Sequence, residues 1–319
     1  MNLLTERDYY KPFVYPWAFE FYKKQQQMHW LPDEVPLQDD IKDYNQKLSE
    51  GERVLIDNIF KFFTQADVDV CCGYAKHYLP TFKQPEIRMM LVSYAAMEAV
   101  HQEAYSLLLE SLGKSDEQYT EFFEIQAMAE KHEYLTDFNM NTPHEIAKTM
   151  AVYSGFTEGV QLFSSFAILL NYPRHNLMKG MGQIVTWSIR DESLHVEGLS
   201  KLFRTFIAEN PDIWTDKLKY EIYCAAERVV ELEDKFIDVC FDKADIPDLT
   251  AKEVKEYIRY IADRRLLGLG MKAIFHSTVN PLPWIDMQIN AVEHTNFFEN
   301  RATEYAKAST QGNWQDIFK

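Results

Sequence analysis

The sequence predicts an all-α protein, a bundle of long helices packed antiparallel, and three observations carry that prediction. Only 11 of its 319 residues are glycine, so turn signals are sparse. Six runs are bounded by capping or breaking residues, and the longer ones reach roughly 25–30 residues, well past the ordinary globular helix of about 11–12. Long runs joined by short connections pack as antiparallel neighbours. Four of them also carry a carboxylate in the middle of an apolar stripe.

The elements follow in chain order. Ser49-Glu50-Gly51-Glu52 is a capping box that opens a first run ending near Pro80. A second run starts after Pro85 and stops at Gly113. Thr142-Pro143-His144-Glu145 is another capping box, with proline at the first helical position, and its helix is expected to continue to about Asn171. A fourth run ends before Asn210-Pro211, a fifth extends from Pro211 to about Lys243, and Thr250-Ala251-Lys252-Glu253 opens a sixth. No linker or repeat breaks the chain, so residues 1–319 read as one helical domain. Its core bundle is about 49–275, with a wrapping segment over about 1–45 and a flexible tail over about 300–319.

Composition bounds the function. With 46% hydrophobic and 26% charged residues the chain is ordinarily globular. A net charge of -16 argues against nucleic acid as a partner, since phosphate binding needs a basic face. No basic n-region precedes an apolar stretch at the N-terminus, and no window approaches 18 apolar residues, so neither signal peptide nor membrane span is expected. Cys71, Cys72, Cys224 and Cys240 form no C-x-x-C pair and read as buried thiols in a reducing compartment, the cytoplasm.

The chemistry lies on the apolar stripes. The second run's stripe reads Tyr94, Glu98, His101, Tyr105, Leu108, and the fourth's reads Val185, Ser188, Glu192, His195, Leu199. The first gives Phe60, Phe63, Asp67, Val70, Tyr74, and the third gives Ala151, Ser154, Glu158, Leu162, Ser165. Steps of three and four keep each set on one helical face. An ionised carboxylate buried alone costs several kcal/mol, so four together need cations or protons. Two divalent metals balance four carboxylates and leave two imidazoles as neutral ligands, the arrangement of two-metal carboxylate bundles. A single Glu-x-x-His is weak, and any one Glu could be a solvated face or a salt bridge. This chain has two such motifs, each flanked by helices burying another acid. His29, His77, His132, His144, His175, His276 and His294 lack that setting and read as surface or structural residues. Carboxylate and imidazole ligands suit iron or manganese over zinc. Tyr105, one turn past His101, is by position either a core tyrosine or a redox group.

The blocks FFTQAD (62–67), AMEAVHQEAYSLL (96–108), EGVQLFSSFA (158–167), SIRDESLH (188–195) and NFFENRATEY (296–305) resemble, in order, the small subunit of class I ribonucleotide reductase. The resemblance spans about Trp30 to Tyr305 and implies a ferritin-like bundle. It implies that Asp67, Glu98 and His101 bind one metal and Glu158, Glu192 and His195 the other, with bridging carboxylates. The metals would be two iron ions, two manganese ions or one of each, activated by oxygen or superoxide. Tyr105 matches the family's radical tyrosine. Trp30 and Asp191 match its electron-transfer tryptophan and the acid joining that tryptophan to His101, and Tyr305 matches the tyrosine that passes the radical onward. The implied partners are the catalytic large subunit, docked through the C-terminal tail with Trp314, Ile317 and Phe318 as anchors, a second copy in a homodimer, and for some members a flavodoxin-like activating protein. Gln161 and Ser188 depart from the apolar surroundings the family often gives its tyrosine, which keeps open an oxidant held on the metals.

Two other readings compete with this one. A ferritin-like dimetal oxidase or hydroxylase explains the six ligands equally but leaves Trp30, Asp191 and Tyr305 unaccounted for. A metal-free helical scaffold leaves four buried acids unexplained.

Overall fold

The computed structural model of the chain describes residues 2–115, 119, 123–135 and 139–289, and among these there is no β-strand. The chain divides into two compact units, Met1–Leu282 and Pro283–Lys319. In the second, residues 283–289 are helical, while Tyr305, Trp314, Ile317 and Phe318 lie outside the described residues.

The first unit begins with α1 (Pro16–Met28) and α2 (Gln38–Gln46), followed by α3 (Glu50–Gly73). A π-helical turn, Tyr74–Tyr78, joins α3 to the short α4 (Leu79–Thr81), and α5 (Pro85–Ser111) follows. Then come α6 (Gln126–Leu135), α7 (Pro143–Met150), a π-helical stretch Ala151–Thr157, α8 (Glu158–Val160) and α9 (Phe163–Arg174). Finally α10 (Lys179–Glu209), α11 (Asp216–Lys243) and α12 (Ala251–Gly268) complete the unit.

The capping signals act as the sequence implies. Ser49 Oγ accepts from the Glu52 amide while the Glu52 carboxylate accepts from the Ser49 amide, and Thr142–Glu145 and Thr250–Glu253 repeat the reciprocal pair. Each box satisfies two otherwise orphaned donors at a helix start. The fifth run begins later than expected. Pro211–Ile213 form a 3-10 turn, and Thr215 caps α11 instead. The first turn of α10 is capped by α2, because Asp40 accepts from the Gly180 and Met181 amides at 2.9 and 2.8 Å.

Two expectations need correction. The third run is not one helix to Asn171. It widens into the π-helical stretch, resumes for three residues, and breaks again before Phe163. Every residue from 153 to 172 is buried, so no solvent face sets a 3.6-residue period here. The cysteines are all free, but Cys240 alone is buried, and Cys71, Cys72 and Cys224 are half-buried.

The N-terminal segment is bound by specific polar contacts. Arg7 and Glu86, on α5, form a buried ion pair at 2.6 Å, and the other Glu86 oxygen accepts from the Val14 and Tyr15 amides at 2.7 and 2.8 Å. The Tyr15 hydroxyl donates to Glu209 at the end of α10. These anchors lay α1 against α5 and α10, and that placement brings two further groups to the centre.

Candidate metal centre

The centre is built from α3, α5, α8 and α10, which turn inward Asp67, Glu98 with His101, Glu158, and Glu192 with His195 respectively. Asp67, Glu98, His101, Glu158, Glu192 and His195 are all buried, none more than 1% exposed. Glu98 occupies the middle. Its Oε2 lies 3.4 Å from His101 Nδ1 and its Oε1 lies 3.0 Å from His195 Nδ1. Glu192 also faces both rings, at 3.3 Å from His101 Nδ1 and 3.7 Å from His195 Nδ1. Asp67 Oδ2 approaches His101 Nδ1 at 3.9 Å.

Two sets of three ligand atoms therefore converge within 4.8 Å, Asp67–Glu98–His101 and Glu98–Glu192–His195. The first matches the expected grouping. In the second, Glu98 stands where Glu158 was expected, and Glu158 lies outside both sets.

Hydrogen bonding separates the inner from the outer side of each ring. Both histidine Nδ1 atoms, both oxygens of Glu98 and of Glu158, Asp67 Oδ2 and Glu192 Oε2 have no hydrogen-bond partner among the described residues. Buried polar atoms are nearly always satisfied, so such a cluster of acceptors is the donor set a pair of hard cations requires. The outer nitrogens are engaged. His101 Nε2 donates to Asp191 Oδ2 at 3.2 Å, and the same oxygen accepts from Trp30 Nε1 at 2.8 Å. His195 Nε2 donates to Gln25 Oε1 at 3.1 Å, and Gln25 Nε2 donates to Asp191 Oδ1 at 3.0 Å. One carboxylate and one amide thus fix both imidazoles with Nδ1 turned inward, the usual support of a ligand histidine.

Gln25 was not singled out from the sequence. It sits on a polar stretch, KKQQQM, and only its full burial separates it from its neighbours. Trp30 is equally buried, stacked on His101 with ring centres 6.0 Å apart and packed against Trp187. Tyr105 is 2% exposed and lies 6.2 Å from the His101 ring, flanked by Phe60 and Phe63 at 5.5 and 5.2 Å. Gln161 and Ser188 are both buried. The Ser188 hydroxyl donates to the Ile184 carbonyl at 3.0 Å.

The electrostatics follow from burial and like charge. Burial first, then the charge of Glu98, raises the Asp67 carboxyl well above the carboxylate range. Glu158 is raised likewise, by burial and then by Glu192. Burial opposes the charged form of His195, but Glu192 and Glu98 outweigh it and lift the ring to about 10. His101 is lifted against the same penalty by Asp191, Glu192 and Glu98. Asp191 is held below its usual value despite burial, chiefly by His101. Without cations, this cluster takes up protons.

Fold and site together define a ferritin-like helical bundle whose carboxylate and histidine groups could bind a pair of metal ions. Comparison with known proteins narrows the class. Residues 7–281 match the family "Ribonucleotide reductase, small chain". A probable ribonucleoside-diphosphate reductase small subunit of Invertebrate iridescent virus 6 is 44% identical, covering 100% of this chain and 99% of that protein. The ribonucleoside-diphosphate reductase subunit beta of Chlamydia pneumoniae is 33% identical, over 93% of this chain and 89% of its own. A solved ribonucleotide reductase R2 subunit from Clostridium botulinum superposes with a TM-score of 0.79 at 22% identity, over 86% of this chain and 88% of that one. The chain belongs to the ribonucleotide reductase small-chain family. Its function is that of the radical-generating subunit in the reduction of ribonucleotides to deoxyribonucleotides, and a ferritin-like oxidase or hydroxylase is not favoured.

Proposed function

We propose that Asp67, Glu98, His101, Glu158, Glu192 and His195 hold two metal ions, two of iron, two of manganese or one of each. We further propose that Tyr105, Asp191, Trp30 and Tyr305 carry the resulting oxidising equivalent to the large subunit. The observation that carries this reading is the cluster of buried, unpartnered acceptor atoms on all six ligand residues. When bound, the ions supply an oxidising equivalent drawn from oxygen or superoxide.

The remaining steps belong to the chain's own groups. Burial, then the charge of Asp67, keeps Tyr105 a neutral phenol, so its oxidation removes a proton together with an electron. Phe60 and Phe63 against its ring exclude water from the product. Asp191 stays ionised and accepts from both Trp30 and His101, so it can receive the indole N–H proton as the indole loses an electron. Tyr305 lies outside the described residues and is proposed as the group that hands the radical across to the partner. The tail over 300–319, with Trp314, Ile317 and Phe318, is proposed to dock there.

The proposed assembly is completed by a second copy in a homodimer and by a flavodoxin-like activating protein. No helix among the described residues is long and apolar enough to cross a membrane, and the free cysteines support a reducing, cytoplasmic setting.

The test combines metal analysis, electron paramagnetic resonance of the activated protein, and nucleotide reduction with and without the large subunit. About two metals per chain are expected, with reduction that depends on the large subunit and is lost in Tyr305→Phe. Fewer than about one metal per chain would overturn the centre, and an active Tyr305→Phe would overturn the relay.

A further inference from the structure

Glu158 stands apart from the other ligand residues. Neither of its carboxylate oxygens has a hydrogen-bond partner among the described residues, and it lies outside both tight ligand sets. The Tyr74 hydroxyl is the polar group that faces it, and the reach of the side chain is set by its backbone. That backbone is a three-residue α-helical turn, Glu158–Val160, between a π-helical stretch and a second break. The Gln161 amide bonds five residues back, to the Phe156 carbonyl at 3.1 Å.

A helix end leaves carbonyls without helical donors, and cations satisfy them well. Here two cations from outside the central helices do so. Arg265, on α12, donates from Nε to the Gly159 carbonyl at 2.9 Å, with its guanidinium over the Phe163 ring at 5.0 Å. Lys131, on α6, donates from Nζ to the Gln161 carbonyl at 2.8 Å. The lysine is completely buried and is itself fixed by Glu233 at 2.6 Å, by the faces of Phe236 and Phe62 at 4.1 and 4.7 Å, and indirectly by Ser164, which donates to Glu233. Gly159 makes room for the arginine, since a Cβ there would sit 2.9 Å from Arg265 Nε.

We propose that Arg265 and the Lys131–Glu233 pair are positioning residues that clamp the turn bearing Glu158 and so set the reach of its carboxylate toward the other five ligand residues. The proposal rests on the two-metal reading above. A buried ion pair is not by itself a source of stability, and volume-matched apolar replacement is often tolerated. The pair's retained role here is geometric. It holds one carbonyl, one turn beyond one ligand.

The test uses the full-length metal-free protein titrated with Mn(II) alone, followed by loss of the free-ion resonance and by the exchange-coupled signal of a bound pair. The variants are Arg265→Met, Arg265→Lys, Gly159→Ala and the double variant Lys131→Met/Glu233→Met, each checked by circular dichroism for wild-type helix content. Wild type is expected to bind two ions per chain. Arg265→Met, Gly159→Ala and the double variant are each expected to weaken one of the two binding steps by at least about tenfold and to alter the coupled signal. Arg265→Lys should restore both. Glu158→Gln should reproduce the defect. If the folded variants bind two ions with wild-type affinity and an unchanged coupled signal, the clamp is wrong while the two-metal reading stands. If wild type binds no Mn(II) pair, both fall.

Discussion

Gln25 and His195 are joined by a hydrogen bond of 3.1 Å, and the same glutamine donates at 3.0 Å to Asp191, the partner of His101. One amide from α1 therefore links the outer nitrogens of both inward-facing histidines. Gln25→Leu would remove an acceptor from His195 and a donor from Asp191 while keeping an apolar volume. Metal affinity is expected to fall about 10–100-fold with the fold intact. Equilibrium dialysis against Mn(II) or Fe(II), alongside a thermal melt, checks this. Unchanged affinity would mean the glutamine only packs.

Trp30 presents two separable properties, a ring stacked on His101 and an N–H bonded to Asp191. Trp30→Phe keeps a ring and removes the donor. If the indole carries charge toward the large subunit, nucleotide reduction by the complex should drop by more than about tenfold. Metal content should stay at the wild-type level. A variant that reduces nucleotides at the wild-type rate would remove Trp30 from the route.

The protonation state of the cluster gives stability a pH dependence of definite sign. His195 is raised to about 10 and His101 is raised too, against about 6.5 in an unfolded chain. Their contribution is complete below about pH 6.5 and is lost as pH climbs toward 10, because the folded state holds the extra protons. Asp67 and Glu158, also raised, act in the same direction. Glu192 and Asp191 are lowered, and their contribution is lost only in acid, as pH falls through the folded values. The melting temperature of metal-free protein should therefore fall between pH 6.5 and 9. Bound ions displace those protons, so loaded protein should show a flatter profile and release protons on loading. Melts of both forms at the two pH values decide it, and a metal-free melting temperature that rises with pH would refute the assignment.

The Arg7–Glu86 pair can be tested as a fastening. Arg7→Met leaves the Glu86 carboxylate buried with only its two backbone donors. Breaking a buried pair from one side costs about 3–5 kcal/mol. Part of that loss should appear as easier proteolysis of the N-terminal segment. Urea unfolding and limited digestion measure both effects, and a variant as stable and as protected as wild type would show the pair to be dispensable.

The legible parts of the molecule were those where one helical face meets water. On α5 and α10 the step of three and four residues separates buried Glu98, His101, Glu192 and His195 from exposed neighbours such as Ala99 and Ser193. Their place on the inward face of each helix could be read from spacing alone. Around Glu158 the rule has nothing to act on, since all residues from 153 to 172 are buried and a run buried on every side carries no phase. The π-helical stretch and the break before Phe163 were hidden for that reason. Gln25 was hidden for the opposite one, because it stands in a polar stretch on a helix that a bundle pattern assigns to the outside. Lys131 lies on α6, between segments without periodicity, and its burial depends on Glu233, about a hundred residues away.

The anchored N-terminus changes what counts as the smallest working protein. A polypeptide trimmed to begin at Ser49 would retain every carboxylate and imidazole at the centre. It would lack the amide that steadies one ring and the indole stacked on the other, so keeping the inner helices alone would leave both imidazoles less firmly oriented and would remove the first residue of the proposed route outward.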